Sequence, residues 1–88
     1  MKIAVFDTYA KTQDGKVLHF DVLMPDSDES LAVTYAEQWL REIGLDSGDV
    51  ELTSCRYCHN EDSAPGIMQI IREQGFYILQ MEGCPSPK

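Results

Sequence analysis

The hydrophobic pattern of the first 25 residues predicts a β-hairpin. Two stretches rich in apolar residues, Lys2–Tyr9 and Lys16–Met24, have the length and composition of strands. Between them lies Asp14-Gly15, a dipeptide suited to the positive φ angles of a tight hairpin turn. Pro25 ends the second strand, because proline has no backbone N–H to donate to a neighbouring strand.

Helical periodicity then predicts a helix from about Asp28 to Ile43. Asp26 or Ser27 is placed to cap it, and the acidic residues that follow complement the positive end of the helix dipole. Gly44 is suited to the position just past the C-terminus. The predicted buried stripe consists of Leu31, Tyr35, Trp39, Leu40 and Ile43.

The second half of the chain predicts two strands with a helix between them. Val50–Cys55 has one apolar face, and Phe76–Met81 is apolar on both faces. A shorter helix should follow Ser63 or Ala64, with Pro65 tolerated in its first turn. Its predicted apolar stripe is Ile67, Ile70 and Ile71, and Gly75 should end it.

The predicted element order is therefore β-β-α-β-α-β, an α/β (mixed α+β) domain over residues 1–84 with a tail at 85–88. The first and last strands are apolar on both faces, which is typical of central strands. We therefore expect a four-stranded mixed sheet of strand order 2-1-4-3, with the two helices on opposite faces. An order of 1-2-3-4 would instead put both helices on one face and leave an apolar face for a homodimer partner.

Charge and composition exclude several classes of partner. Seven Lys and Arg stand against 15 Asp and Glu in 88 residues, giving a net charge of −8. Binding to nucleic acid needs clustered cations, and an anionic membrane surface would repel such a chain, so we expect neither partner. The apolar run near the N-terminus is too short for a signal peptide, and the cysteine count of three is odd. Both features favour a cytoplasmic location without structural disulfides.

The string Cys55-Arg56-Tyr57-Cys58-His59 is the most specific motif in the chain. We expect the third and fourth strands to be parallel neighbours, which would bring Cys84 to the same carboxyl edge of the sheet as Cys55 and Cys58. Three thiolates, with His59 as a fourth ligand, would suit zinc. The favoured function is thus a non-catalytic or accessory domain that binds a metal at this edge.

Three alternatives to the metal site stay open. The cysteines are purely structural, or Cys55 and Cys58 form a thiol–disulfide redox pair, or CxxCH attaches a c-type haem. Haem attachment belongs to exported proteins, and the missing signal peptide argues against it. No phosphate-binding glycine loop, nucleophile elbow or HExxH motif is present in the sequence, so no catalytic constellation is identified.

A second group of polar residues lies in the predicted hairpin. His19 and Asp21 alternate along the second strand and share a face, and Asp7 lies in the partner strand. A His–carboxylate pair there would suit a general base, although a polar strand face explains the same pattern. A one-residue change in hairpin register decides whether Asp7 joins the other two. His19 lies roughly 16 Å before the end of its strand, too far to ligate a metal with the cysteines.

Five strings spread over most of the chain resemble one family of small bacterial proteins, catalogued as domain of unknown function 2024. The strings are Phe6-Asp7-Thr8-Tyr9, Asp14-Gly15, His19-Phe20-Asp21-Val22, Cys55-Arg56-Tyr57-Cys58-His59 and Met81-Glu82-Gly83-Cys84-Pro85. The resemblance implies a small, free-standing α/β protein. It implies no activity, so the proposed cysteine site depends on the residues alone.

Overall fold

The computed structural model describes residues 2–46 and 48–81, and Cys84 and the tail lie outside them. The six elements occur in the predicted order and form a single α+β domain. Their bounds are β1 Lys2–Thr12, β2 Val17–Met24, α1 Glu29–Glu42, β3 Val50–Asp62, α2 Pro65–Gln74 and β4 Tyr77–Gln80.

The hairpin between β1 and β2 closes through a three-residue loop. The Thr12 N–H donates to the Lys16 carbonyl at 2.9 Å, and the Gly15 N–H donates to the Thr12 carbonyl at 3.0 Å. Gly15 takes a positive φ of 88°, as a three-residue hairpin with a glycine bulge requires. This loop pairs Lys11 with Val17 and sets the register of every later pair in the hairpin.

The helix ends follow local rules. Asp28 caps α1 by accepting a hydrogen bond from the Leu31 N–H at 3.2 Å. The predicted caps, Asp26 and Ser27, were therefore wrong, since both precede the residue that caps the helix. None of the described helices combines the length and the apolar character needed to cross a bilayer.

The buried helical faces differ in part from the predicted stripes. In α1 the buried residues are Ala32, Ala36, Trp39 and Leu40, whereas the other predicted members are half-buried. In α2 Met68 and Ile71 are buried, and Ile70, which was predicted to be buried, is exposed.

The strand order is β3-β1-β2-β4, and every neighbouring pair is antiparallel. The predicted order 2-1-4-3 and the predicted parallel pairing of the last two strands were therefore wrong. β3 and β4 lie at opposite edges of the sheet. β2 looked like an edge strand because one of its faces is polar, yet it is central. The order 1-2-3-4, which would have left an apolar face for a homodimer partner, is not adopted either. The oligomeric state stays a prediction.

The two helices cover opposite faces of the sheet, as predicted. On the α1 face, alternate residues of the central strands, including Phe6, Phe20 and Val22, form the larger core with Trp39 and Leu40. On the other face a smaller apolar cluster of Ile3, Val5 and Leu23 packs against Met68 and Ile71 of α2. This second cluster lies at one end of the hairpin. Farther along the same face the side chains become polar, and the candidate site lies there.

Candidate metal site on the open sheet face

Asp7, His19 and Asp21 come together on the two central strands. Asp7 lies directly opposite Asp21, and Tyr9 lies opposite His19. This register places Asp7, His19 and Asp21 on one face of the sheet. The Asp7 carboxylate accepts a hydrogen bond from His19 Nε2 at 2.6 Å. One ligand atom from each of the three residues lies within 4.8 Å of the other two. Among residues 2–46 and 48–81, no other trio of His, Cys, Asp or Glu meets this condition.

Tyr9 fixes the orientation of the imidazole. The Tyr9 ring and the His19 ring are stacked, with centroids 4.2 Å apart and planes inclined by 5°. The two residues are cross-strand partners, which is the geometry in which side chains on neighbouring strands touch. The stack limits rotation of the His19 ring and leaves Nε2 directed toward Asp7.

The two carboxylates repel each other at this position. Burial raises the pKa of Asp21, and the negative charge of Asp7 raises it further, while His19 and His59 act in the opposite direction. Like charges directly opposite each other in a sheet are destabilising. A bound cation or a shared proton would remove this repulsion.

Two carboxylate oxygens and one imidazole nitrogen are a ligand set for a first-row divalent metal such as Mn²⁺, Fe²⁺ or Zn²⁺. Metal–ligand bonds of about 2.0–2.2 Å place neighbouring ligand atoms about 3.0–3.5 Å apart, so Asp7 Oδ1 and His19 Nε2, which are now 2.6 Å apart, would have to separate slightly. Small side-chain rotations on rigid strands are enough for this. The metal would take the position that the His19 Nε2 proton now occupies, so binding would release a proton or shift it to Nδ1.

A positively charged residue of β3 flanks the cluster. Arg56 is the cross-strand partner of Asp7, which places it on the same face of the sheet, and it is exposed. Farther along β3, His59 is the partner of Val5. It donates a hydrogen bond to the Glu61 carboxylate at 2.8 Å in an exposed pair of their own.

Cys55 lies on the buried side of β3, on the opposite face of the sheet from the polar cluster. It lies in the middle of β3, opposite Thr8, and packs into the core beneath α1. The Thr8 hydroxyl donates a hydrogen bond to Cys55 Sγ at 3.5 Å. Burial raises the pKa of the Cys55 thiol, with the Thr8 hydrogen bond opposing that shift. A thiol of this kind forms the thiolate less readily, and the thiolate is both the metal ligand and the redox nucleophile.

The predicted cysteine site was placed in a loop at the carboxyl edge of the sheet, and this placement was wrong. β3 continues to Asp62, so Cys55, Cys58 and His59 all lie within a strand. Cys58 is exposed at a register shift, where Val5 pairs with His59 and Phe6 with Tyr57. Cys84 lies outside the described residues. A shared metal site for these four residues therefore stays a prediction, without the sheet geometry on which it was based.

Sequence reasoning does not single out Tyr9 or Arg56 as parts of a site. The alternation of β1 already puts Tyr9 on the face of Asp7, so that signal is present in the sequence. The position of Arg56 depends on the pairing of β3 with β1, between residues nearly fifty positions apart, and a local pattern contains no trace of it.

Comparisons with known proteins agree with this fold. The family model described as "Domain of unknown function (DUF2024)" matches residues 1–81. The NMR structure of protein NE1680 from Nitrosomonas europaea is similar over 97% of this chain and 100% of its own, with 41% identity and a TM-score of 0.83. No curated protein matches the chain.

Proposed function

Because the chain belongs to the family described as Domain of unknown function (DUF2024), its function has to be inferred from its own residues, and we propose that it binds a divalent transition-metal ion through Asp7, His19 and Asp21. One observation carries the proposal: three potential ligand atoms lie within 4.8 Å of one another on the two central strands. Central strands are held on both sides by hydrogen bonds, so the ligands start from a rigid frame.

The surroundings support a binding role more than a stabilising one. Both faces of the sheet carry apolar clusters, and the trio sits where the second cluster ends. Opposed carboxylates there cost stability in the absence of a cation. An accessory metal-binding domain accounts for this arrangement, because a bound cation would offset the repulsion.

A cytoplasmic location without nucleic-acid partners is part of the proposal. Its support is the sequence: the net charge of −8 opposes phosphate backbones, and the odd number of cysteines suits a reducing compartment.

Titration with Mn²⁺, followed by the loss of the EPR signal of the free ion, tests the proposal. Mn²⁺ prefers oxygen and nitrogen to thiolate ligands, so the cysteines compete little. We expect one equivalent to bind. Changes to groups that merely hydrogen-bond a metal ligand commonly cost about 10–100-fold in affinity, so Asp7→Asn, His19→Gln and Asp21→Asn should each cost at least about 100-fold.

Glu37→Gln provides the control. Glu37 is exposed on α1, which covers the opposite face of the sheet, and its loss removes one negative charge. Glu61 is not suitable, because its carboxylate acts on the pKa of Asp21. We expect Mn²⁺ binding by Glu37→Gln to stay within about twofold of the original protein, since it supplies no ligand. Absence of Mn²⁺ binding, or an equal loss in Glu37→Gln and Asp21→Asn, would overturn the proposal.

A further inference from the structure

Three side chains would not fill all the coordination positions of a bound cation. Four to six ligands are usual for the metals that suit this donor set, so one to three positions would face solvent on the open side of the sheet. Metal sites with an open position commonly take up a further ligand there. The residues beside that position decide which ligand is favoured.

Arg56 is the arginine that strand pairing places beside the cluster. It is paired with Asp7 across β1 and β3, and paired side chains of a sheet stand about 4.5–5.5 Å apart at Cβ. The Arg56 guanidinium makes no ion pair or side-chain hydrogen bond with any other residue of the described chain. Its donors are therefore available to a ligand, and their planar fork matches the oxygens of phosphate-type anions.

From this juxtaposition we infer that the metal-loaded site binds a small phosphate-type oxyanion, with one oxygen on the metal and others on the Arg56 guanidinium. The inference rests on the metal site proposed above. A tetrahedral anion presents oxygens in several directions and can contact both groups at once, whereas a single halide ion cannot.

Charge makes this binding conditional on the metal. Without a cation, the carboxylates of Asp7 and Asp21 repel an anion, and so does the net charge of −8. A divalent ion cancels the two carboxylate charges, so an anion then meets the metal and Arg56, with Glu61 as the remaining carboxylate that acts on the cluster. Linkage requires the reverse effect too: the anion must tighten metal binding by the same factor by which the metal tightens anion binding.

Calorimetric titration of methylphosphonate into the folded, full-length protein tests the inference. We expect binding to the Mn²⁺-loaded protein and at least about tenfold weaker binding to the metal-free protein. Hydrogen bonds to charged groups are the stronger ones, so Arg56→Gln should weaken methylphosphonate binding by about tenfold or more. Arg72→Gln, an exposed arginine near the end of α2, removes the same charge elsewhere and should change it less than about twofold.

The Mn²⁺ titration of the same variants separates the two proposals. Arg56→Gln should bind Mn²⁺ at least as tightly as the original protein when no anion is present, because a nearby positive charge is removed. If Mn²⁺ does not bind the original protein, the metal site itself fails, and this inference fails with it. If Mn²⁺ binds but methylphosphonate binds the metal-free protein equally well, or Arg56→Gln and Arg72→Gln behave alike, only the anion site is overturned.

Discussion

Asp7 and Asp21 carry like charges at opposite positions of two central strands, where they repel each other. Their neighbours show how the arrangement is held together. His19 Nε2 donates to Asp7, and Tyr9 stacks on the imidazole. At the scale of single residues, the site is thus a repulsive pair next to one oriented histidine, and its cost should be measurable in the metal-free protein.

Asp21→Asn should stabilise the metal-free protein at pH 7. The pKa of Asp21 is raised in the folded state, first by burial and then by Asp7, so the folded protein binds this proton more tightly than the unfolded chain. Stability contributed by the protonated carboxyl is therefore complete below the ordinary aspartate pKa of about 3.9 and is lost as pH rises through the raised value. We expect a gain of about 0.2–1 kcal/mol in Asp21→Asn at pH 7 and none below about pH 3.5.

Urea unfolding of metal-free protein at both pH values measures this effect. Glu37→Gln, an exposed position on α1, is the control, because it removes one negative charge from a chain of net charge −8 without touching the pair. Equal effects of the two variants at pH 7 would show that Asp21 experiences no special repulsion. Excess Mn²⁺ should reverse the order, since it stabilises only proteins that bind it.

The cysteines should differ in reactivity. Cys55 is buried with a raised thiol pKa, whereas Cys58 is exposed. In a Cys84→Ser background, we expect the thiol of Cys58 to react with a disulfide reagent at least about tenfold faster than that of Cys55. The variants Cys55→Ser and Cys58→Ser assign the two rates. Equal rates in the folded protein would restore the redox pair as a candidate.

At the scale of elements, turns and helix ends follow local chemistry, and the sequence predicts their glycines correctly. Gly15 in the hairpin, and Gly44 and Gly75 past the two helices, all take positive φ angles. The length of the first turn has the largest consequence. A two-residue turn at Asp14-Gly15 would pair Gln13 with Lys16 and place Asp7 opposite Val22, on the wrong face. The three-residue loop places Asp7 opposite Asp21.

Gly75 lies at the end of α2, next to the core. Its replacement by alanine should lower the free energy of unfolding more than the replacement of Gly44. Both glycines have φ near 95°, which costs an L-residue roughly 1–2 kcal/mol. A Cβ at Gly75 would also lie 2.8 Å from the Tyr35 hydroxyl oxygen, whereas at Gly44 it would meet nothing within 4 Å. The Tyr35 side chain cannot easily move away, because its ring stacks on Phe76 with centroids 4.4 Å apart.

Thermal unfolding of Gly75→Ala and Gly44→Ala makes this comparison. We expect Gly44→Ala to lose roughly 1–2 kcal/mol, and Gly75→Ala to lose at least about 1 kcal/mol more, the usual cost of overpacking. Equal losses would mean that the contact with Tyr35 relaxes without cost.

At the scale of the whole molecule, strand order was the part of the fold that the sequence did not reveal. β4 is apolar on both faces because Ile78 meets the α1 core and Tyr77 meets the α2 cluster, although the strand lies at an edge. β2 has a polar face because α2 covers only one end of the hairpin. A polar stretch on a central strand thus indicates a part of the sheet that no helix covers. In this protein the candidate site lies on that part.

The sequence predicts the contacts of the site that are local along the chain, and it does not predict the long-range one. Alternation puts His19 and Asp21 on one face, and a hairpin brings Asp7 within one residue of register. Arg56 joins through the pairing of β3 with β1, which only the folded sheet fixes. The cysteine motif was placed in a loop, and this placement was wrong because β3 continues through the motif to Asp62.

The two histidines of the chain allow the most direct test of the metal site, because His19 belongs to it and His59 belongs to the predicted cysteine site. Zn²⁺ is added to ¹⁵N-labelled protein, and the imidazole nitrogens are followed by long-range ¹H–¹⁵N NMR. We expect the largest shift at His19 Nε2, with saturation at one equivalent, and a much smaller shift at the His59 nitrogens, which act on Asp21 only through their charge. A shift of His59 with His19 unchanged, or no shift of either residue, would contradict metal binding by Asp7, His19 and Asp21.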